Sequence, residues 1–417
     1  MNRFLDSLQP YPFERLRALL KGVEPAAHLA PISMSIGEPK HAAPQRVRDA
    51  MVAALDGLSS YPPTAGGAPL REAIAAWLQR RYGLPRIDPA TQVLPVNGSK
   101  EALFSIAQLV VDARPGAPRP AVVLPDPCYQ VYEGAALLAG AEAVYLEQSE
   151  ANGFALDWDA IPEATWARVQ LVYVCSPGNP TGTVVARAQW ARLFELSARH
   201  GFVIASDECY SEIYADEAAP PEGALAAAHA LGLHGFDRLL VFSSLSKRSS
   251  VPGLRSGFVA GDAALIARYL LLRSYNGGAM SATVQAASLA AWTDEAHVVE
   301  NRRLYREKFD AVLPRVDGVL RVRRPEGGFF LWAGVPGGDD AAFARDLHAQ
   351  YNVLVLPGSF LARGASGRNP GAGFVRLALV DGLAACVEAA DRIRAFAGPS
   401  GALSSPSLQA SRPTHTR

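Results

Sequence analysis

The sequence carries no net charge: its 417 residues include 40 basic and 40 acidic side chains. Nucleic-acid surfaces concentrate Lys and Arg, and membrane-surface anchors need a polybasic run, so the balance argues against both partners. No uncharged apolar run reaches the roughly 18 residues of a transmembrane helix. Cysteine is scarce. Cys128, Cys175, Cys209 and Cys386 are widely separated and form no CxxC pair, which fits neither a zinc site nor a disulfide framework. The eight histidines are scattered too, without an HExxH-type cluster, so no metal is expected. The opening segment MNRFLDSLQPYPFERLRALLKG is charged and interrupted by Pro10 and Pro12, and so lacks the apolar core of a secretion signal. Together with unpaired thiols, this points to a cytoplasmic protein.

What is present is an ordinary globular composition, 49% hydrophobic and 19% charged, on a chain long enough for two or three domain-sized units. PLREAIAAWLQRRYG (69–83) puts Leu70, Ile74, Trp77, Leu78 and Tyr82 at helical spacing. Short apolar runs closed by proline, glycine or polar residues read as buried strands: QVLPV, AVVLP, LVYVCSP, FVIASDE, LLVFSS and RSGFVAG. Helical patterns at 100–112, 187–200 and 263–274 separate most of them. This alternation predicts an α/β fold, a mostly parallel central sheet wrapped by helices. From about residue 295 a charged amphipathic helix, DEAHVVENRRLYREKFDAVLP, leads into the short strands GGFFLWAGV, NVLVLP and GFVRLAL, which predict a smaller α+β domain. The segment 399–417, rich in Ser, Pro, Gly and Ala without apolar periodicity, reads as a disordered tail.

Open α/β sheets bind ligands at the carboxyl ends of their strands. Four polar elements fall there. In NGSKEALFSIAQLV, a glycine precedes a helix whose amino-terminal N–H groups suit a phosphate, with Ser99 adding a hydroxyl and Lys100 a charge; a capped helix without a ligand reads equally simply. In CSPGNPTG, Asn179 sits in a tight turn between Gly178 and Pro180. In DECY, Asp207 reaches a strand end in an apolar neighbourhood, either as a helix cap or as a carboxylate in need of a cationic partner. In SSLSKRSSVPGLRSG, Lys247 is either a solvated loop residue or a desolvated amine with nucleophilic character, and Arg255 follows eight residues later. Tyr129, just after another strand in PDPCYQVYEG, reads alone as packing.

The ordered set NGSKEAL, SPGNPTG, DECY, SSLSK and GLRSG, with FVRLAL near the end, resembles the fold type I pyridoxal-phosphate aminotransferases of the aspartate aminotransferase superfamily, over roughly residues 10–397. The resemblance implies an N-terminal arm belonging partly to the small domain (1–45), a large cofactor-binding domain (46–294) and a small C-terminal domain (295–398). It implies that Lys247 holds pyridoxal phosphate as an imine and carries the substrate's Cα proton, that Asp207 keeps the pyridine nitrogen protonated, and that Tyr210 and Asn179 hydrogen-bond the ring oxygen. Tyr129 would stack on the ring. Gly98, Ser99 and Lys100, with Ser244 and Arg255, would hold the phosphate. Arg376 in GFVRLAL matches the arginine that grips the substrate's α-carboxylate, and Gly37 in SIGEP the glycine whose backbone approaches it. Tyr61 in SSYPPTAGGAPLREAIAAW matches a tyrosine reaching the neighbouring subunit's phosphate, which implies a homodimer with shared sites.

An amino acid and a 2-oxo acid are the implied substrates. LRSYNGGAMSATVQAASLAAW (272–292) looks like bacterial N-succinyldiaminopimelate aminotransferases of lysine and diaminopimelate biosynthesis, with glutamate and 2-oxoglutarate as the second pair. Aspartate, aromatic or alanine aminotransferases and lyases of the same fold would use the same lysine and aspartate. A transcription regulator with an aminotransferase-like domain would need a basic helix-turn-helix domain, for which the roughly 45 residues before the large domain and the zero net charge leave little basis.

Overall fold

In the computed structural model, which describes residues 3–364 and 367–398, seven strands form one mixed sheet. In spatial order they are Val93–Val96, Gly257–Gly261, Leu239–Ser244, Val203–Asp207, Val169–Cys175, Ala121–Asp126 and Glu142–Glu147. The last five run parallel, and Gly257–Gly261 is antiparallel to both of its neighbours. Apolar side chains alternate across the sheet and feed two cores. In Val169–Cys175, for example, Val172 and Val174 join one cluster with Trp77, Trp190 and Trp292, while Leu171 and Tyr173 join another with Tyr132 and Phe242. Helices such as Ala68–Tyr82 and Arg187–His200 cover the first face, and Ser99–Val110 and Gln130–Leu138 the second. Burial on both faces is why these strands read as nearly continuous apolar runs. Glu142–Glu147 has no such signature in sequence: it lies at the sheet edge, and only Leu146 is buried.

A third core surrounds a three-stranded antiparallel sheet in the order Leu356–Pro357, Phe374–Ala378, Phe330–Gly334. The helix Ala296–Val316 packs against it through Phe309, Val312 and Val316. The segment NVLVLP, expected as one strand, is split. Val353–Leu354 pairs in parallel with Ile32–Ser33, and Leu356–Pro357 joins the three-stranded sheet. The split ties the amino-terminal arm to this core, a long-range pairing that no local pattern announces. The expected tail, 399–417, lies outside the described residues. Among the described residues, no helix is long and apolar enough to cross a membrane.

Two consequences position a site. The parallel strands deliver Cys175, Asp207 and Phe242 in register to one edge of the large sheet. A mixed cluster then joins that edge to the smaller core: Cys209 and Tyr210 pack with Tyr305, Phe329, Phe330 and Ala378.

Candidate active site

At the carboxyl edge of the large sheet lies a cavity of about 360 Å³. Its charged lining is lopsided, with four cations, Lys100, Lys247, Arg255 and Arg376, against one carboxylate, Asp207. Such a surplus of positive charge in a partly enclosed space favours an anionic occupant.

Lys247 sits in the four-residue helix Leu245–Arg248, capped by Ser244, whose Oγ accepts the Ser246 N–H at 3.1 Å. The side chain is not a solvated loop residue. Its Nζ donates to the Gly37 carbonyl at 2.5 Å and lies 5.4 Å from the Phe329 ring centroid. Burial pulls the Lys247 pKa down to about 8, with Arg376 and Arg255 pushing the same way and Cys209 and Glu38 opposing. A desolvated ammonium with no carboxylate partner gives up its proton more readily than an exposed one.

Asp207 is buried at 4% exposure. Its Oδ2 accepts the Tyr132 hydroxyl at 2.6 Å and its Oδ1 the Cys209 N–H at 3.2 Å. Burial raises its pKa, and the Tyr132 and Cys209 hydrogen bonds and the Lys247 charge hold it down. The helix cap read as one possibility for Asp207 is not what forms: no helix begins there, and the Cys209 bond closes a local turn while Tyr132 orients the second carboxylate oxygen.

Across the cavity, Arg376 is carried by the middle of Phe374–Ala378. One terminal nitrogen donates to Asn179 Oδ1 at 3.0 Å, and the other to the Ser35 carbonyl at 2.8 Å. The guanidinium lies 4.3 Å from the Phe330 ring centroid, and its buried Nε has no hydrogen-bond partner among the described residues. Burial without a carboxylate lowers its pKa to about 10. An unsatisfied buried donor of this kind fits an incoming carboxylate.

The remaining cations form a cup. Gly98 has φ +85°, and a Cβ there would stand 2.3 Å from Arg255 Nη2, so only glycine admits the guanidinium. Arg255 is pinned by donation to the Pro252 carbonyl at 3.0 Å and reaches the Asn97 carbonyl at 3.5 Å. Beside it, the helix Ser99–Val110 begins, with its first N–H groups and positive dipole end free for an anion. The Ser244 hydroxyl also lines the cavity, although it already bonds Ser246 Oγ and the Ser256 carbonyl.

The structure gathers Gly37, Ser99, Lys100, Tyr129, Asn179, Asp207, Tyr210, Ser244, Lys247, Arg255 and Arg376 around this one cavity. Gly98 stands against Arg255 just outside the lining. Tyr61 is not brought in: it is fully exposed and borders a separate groove with Pro63, Leu70 and Gln285. Gly37 cannot carry a side chain, because a Cβ would meet Phe330 Cζ at 2.6 Å. Tyr210 is buried edge-on to Phe329 and Phe330. Sequence reading missed Tyr132, Tyr11 and Ser246. Tyr132 lies in the first turn of the helix Gln130–Leu138, three residues after its cap Tyr129. Tyr11 comes from the arm and pairs with Tyr129, with no motif to mark it.

A buried amine, a carboxylate held at a strand end, an anion cup at a helix start and an unsatisfied arginine describe a cofactor enzyme that handles amino acids. The chain belongs to the class I and II aminotransferases, whose family pattern it matches over residues 30–382. It is 31% identical to the LL-diaminopimelate aminotransferase of Desulforudis audaxviator over 400 residues, 94% of this chain and 97% of that protein. It is 37% identical to the 4-dedimethylamino-4-oxo-anhydrotetracycline transaminase OxyQ of Streptomyces rimosus over 330 residues, 79% of this chain and 85% of that protein. A solved aminotransferase from Neisseria meningitidis Z2491 superposes with a TM-score of 0.91 at 50% identity, covering 95% of this chain and all of that one. The protein is therefore a transaminase that uses pyridoxal 5'-phosphate and acts on an amino acid and a 2-oxo acid.

The pKa of Lys247 sets a pH dependence. Only the neutral amine attacks an aldehyde, and its fraction rises about tenfold per pH unit below the pKa. Mixing apoprotein with pyridoxal phosphate should give a capture rate that climbs with pH and levels off above about 8. A plateau reached only near pH 10.5, the value of an exposed lysine, would contradict a desolvated Lys247.

Proposed function

We propose that this transaminase moves the amino group of a substrate bearing a second, remote carboxylate, with N-succinyl-L,L-2,6-diaminopimelate as donor and 2-oxoglutarate as acceptor. The observation that carries the amino-acid reading is Arg376, buried, short of one hydrogen bond, and facing Lys247 across the cavity. The substrate reading draws on the segment 272–292 and on the LL-diaminopimelate aminotransferase name that several relatives carry.

In this reading each side chain has one task. Lys247 Nζ attaches the cofactor and, when released, moves a proton at the substrate's Cα. Asp207, oriented by Tyr132, would keep a proton on the cofactor's ring nitrogen. Asn179 and Tyr210 would hydrogen-bond its ring hydroxyl, and Tyr129 would hold the ring by stacking. The helix start at Gly98, Ser99 and Lys100 holds the phosphate with Ser244 and Arg255. Arg376 and the Gly37 backbone hold the substrate's α-carboxylate. When bound, pyridoxal phosphate supplies an electron sink that acidifies the Cα proton.

The quaternary reading is a homodimer. Tyr61, exposed in the single chain among Leu55, Leu58 and Val52, would reach the phosphate of the other subunit. We further read residues 1–45 as an arm shared with the small unit, 46–294 as the large unit and 295–398 as the small unit. Pairing of Ile32–Ser33 with Val353–Leu354 supports counting the arm with the small unit. A cytoplasmic location agrees with four buried, unpaired cysteines.

Glutamate added to the holoenzyme should convert the cofactor's absorption from the aldehyde-derived band to that of the amine form. N-succinyl-L,L-2,6-diaminopimelate should do the same with a higher kcat/KM than L,L-diaminopimelate, aspartate or alanine. Conversion by alanine alone would overturn the dicarboxylate reading. Lys247→Ala should still bind cofactor and lose steady turnover; normal turnover would remove Lys247 from the role given to it. Tyr132→Phe deletes one charge-assisted hydrogen bond, worth about 1.5–3 kcal/mol, and should weaken cofactor affinity about tenfold or more in an equilibrium titration. Unchanged affinity would show that Tyr132 does not orient Asp207.

A further inference from the structure

Behind Lys247 lies a polar chain that none of the roles above uses. One face of the helix Ala296–Val316 supplies Asn301, Tyr305 and Lys308, spaced four and three residues apart. Asn301 is buried, and its Nδ2 donates to the carbonyls of Lys247 at 3.2 Å and Arg248 at 3.3 Å. Carbonyls only accept, so the amide orientation is settled, and Asn301 Oδ1 must be the acceptor. It takes the Ser250 hydroxyl at 3.0 Å and His41 Nδ1–H at 2.6 Å. With its proton on Nδ1, the neutral His41 ring offers Nε2 as an acceptor, and buried Lys308 donates to it at 2.6 Å. Tyr305 lies tilted against His41 at 4.6 Å between centroids and stacks on Phe329 at 5.4 Å, the ring that Lys247 Nζ overlies.

His41 is four residues from Gly37, whose carbonyl accepts from Lys247 Nζ. Pro39 stiffens the short connection between them. The loop 37–41 therefore meets Lys247 twice, at the amino group through Gly37 and at the backbone through His41 and Asn301. Burial, with the Lys308 charge, holds the His41 pKa below its usual value, against the Asn301 bond and the Glu300 charge, and this keeps the donor direction along the chain single.

We propose that His41 and Asn301 are a positioning pair that locks the Lys247 peptide to the loop 37–41, so that the lysine and the substrate-facing loop hold one relative geometry. The proposal rests on the assignment of Lys247 made above. A purely structural role would satisfy buried carbonyls and no more, and Asn301 with Ser250 can do that without His41. His41 is thus the discriminating position.

The experiment compares wild type, His41→Ala, His41→Asn, which keeps an N–H near the place of Nδ1, Asn301→Ala, and the His41→Ala/Asn301→Ala double variant. Single-turnover absorbance with glutamate, normalised to cofactor-loaded sites, separates the limiting rate from half-saturation, and apoprotein capture of pyridoxal phosphate provides a readout independent of turnover. His41→Ala should lower the limiting rate about tenfold or more, since small misplacements of a reacting group are costly, with half-saturation moved less than about twofold. Capture should slow as well, His41→Asn should recover most of both rates, and the double variant should be no slower than Asn301→Ala by more than about twofold, because both act through one bond. Limiting and capture rates for His41→Ala within about twofold of wild type, whatever its melting temperature, would overturn the proposal. Equal losses in His41→Ala and His41→Asn would overturn it too. If wild type itself fails to convert with glutamate, the donor assignment has failed instead, and the capture rates still decide the positioning role.

Discussion

The structure turns on the burial of one amine. Lys247 is removed from water without a carboxylate to neutralise it, a placement that would be costly for a permanent charge. Its hydrogen bond goes to the Gly37 carbonyl, Cys209 and Glu38 offset the burial only in part, and its pKa is drawn down to about 8. Arg376 and Arg255 sharpen the effect by adding positive field on the same cavity. The same surplus that destabilises an ammonium at Lys247 favours a bound phosphate and a bound carboxylate. In the proposed reading, cofactor affinity, substrate orientation and nucleophilicity would all follow from one electrostatic imbalance.

The fold supplies that imbalance by bringing remote segments to one edge. Parallel strands bring Asp207 and the short helix of Lys247 side by side, the helix Ser99–Val110 points its amino terminus at the same place, and the three-stranded sheet contributes Arg376 from the far side. The helix Ala296–Val316 binds the assembly from behind. Its Arg302 reaches Glu212 and Glu217 of the large-sheet connection at 3.4 and 2.9 Å, and its Asn301 reaches the Lys247 peptide. The end of the large sheet that carries Lys247 and the three-stranded sheet that carries Arg376 therefore share one support.

Much of this was legible in the sequence because the chemistry is concentrated at strand ends. LLVFSS and FVIAS are buried on both faces, so their apolar runs are unmistakable, and the polar residues that break them, Asp207 and Lys247, stand out. Glu142–Glu147 was not legible, since an edge strand with one buried residue has no continuous apolar signature. The division of NVLVLP between two sheets was hidden as well, because the choice is made by the distant Ile32–Ser33. Tyr132 carries no mark in the sequence, and its hydroxyl acquires meaning only where the fold sets it 2.6 Å from Asp207. His41 and Asn301 lie 260 residues apart, and nothing local to either marks a pair.

One measurement tests the role of the buried amine most directly. Holoenzyme reduced with borohydride and digested should yield, by mass spectrometry, one cofactor-bearing peptide, with the added mass on Lys247 of LLVFSSLSK. Cofactor fixed instead to Lys100 or Lys308, or no modified peptide after complete reduction, would contradict the assignment of Lys247 as the group that holds the cofactor.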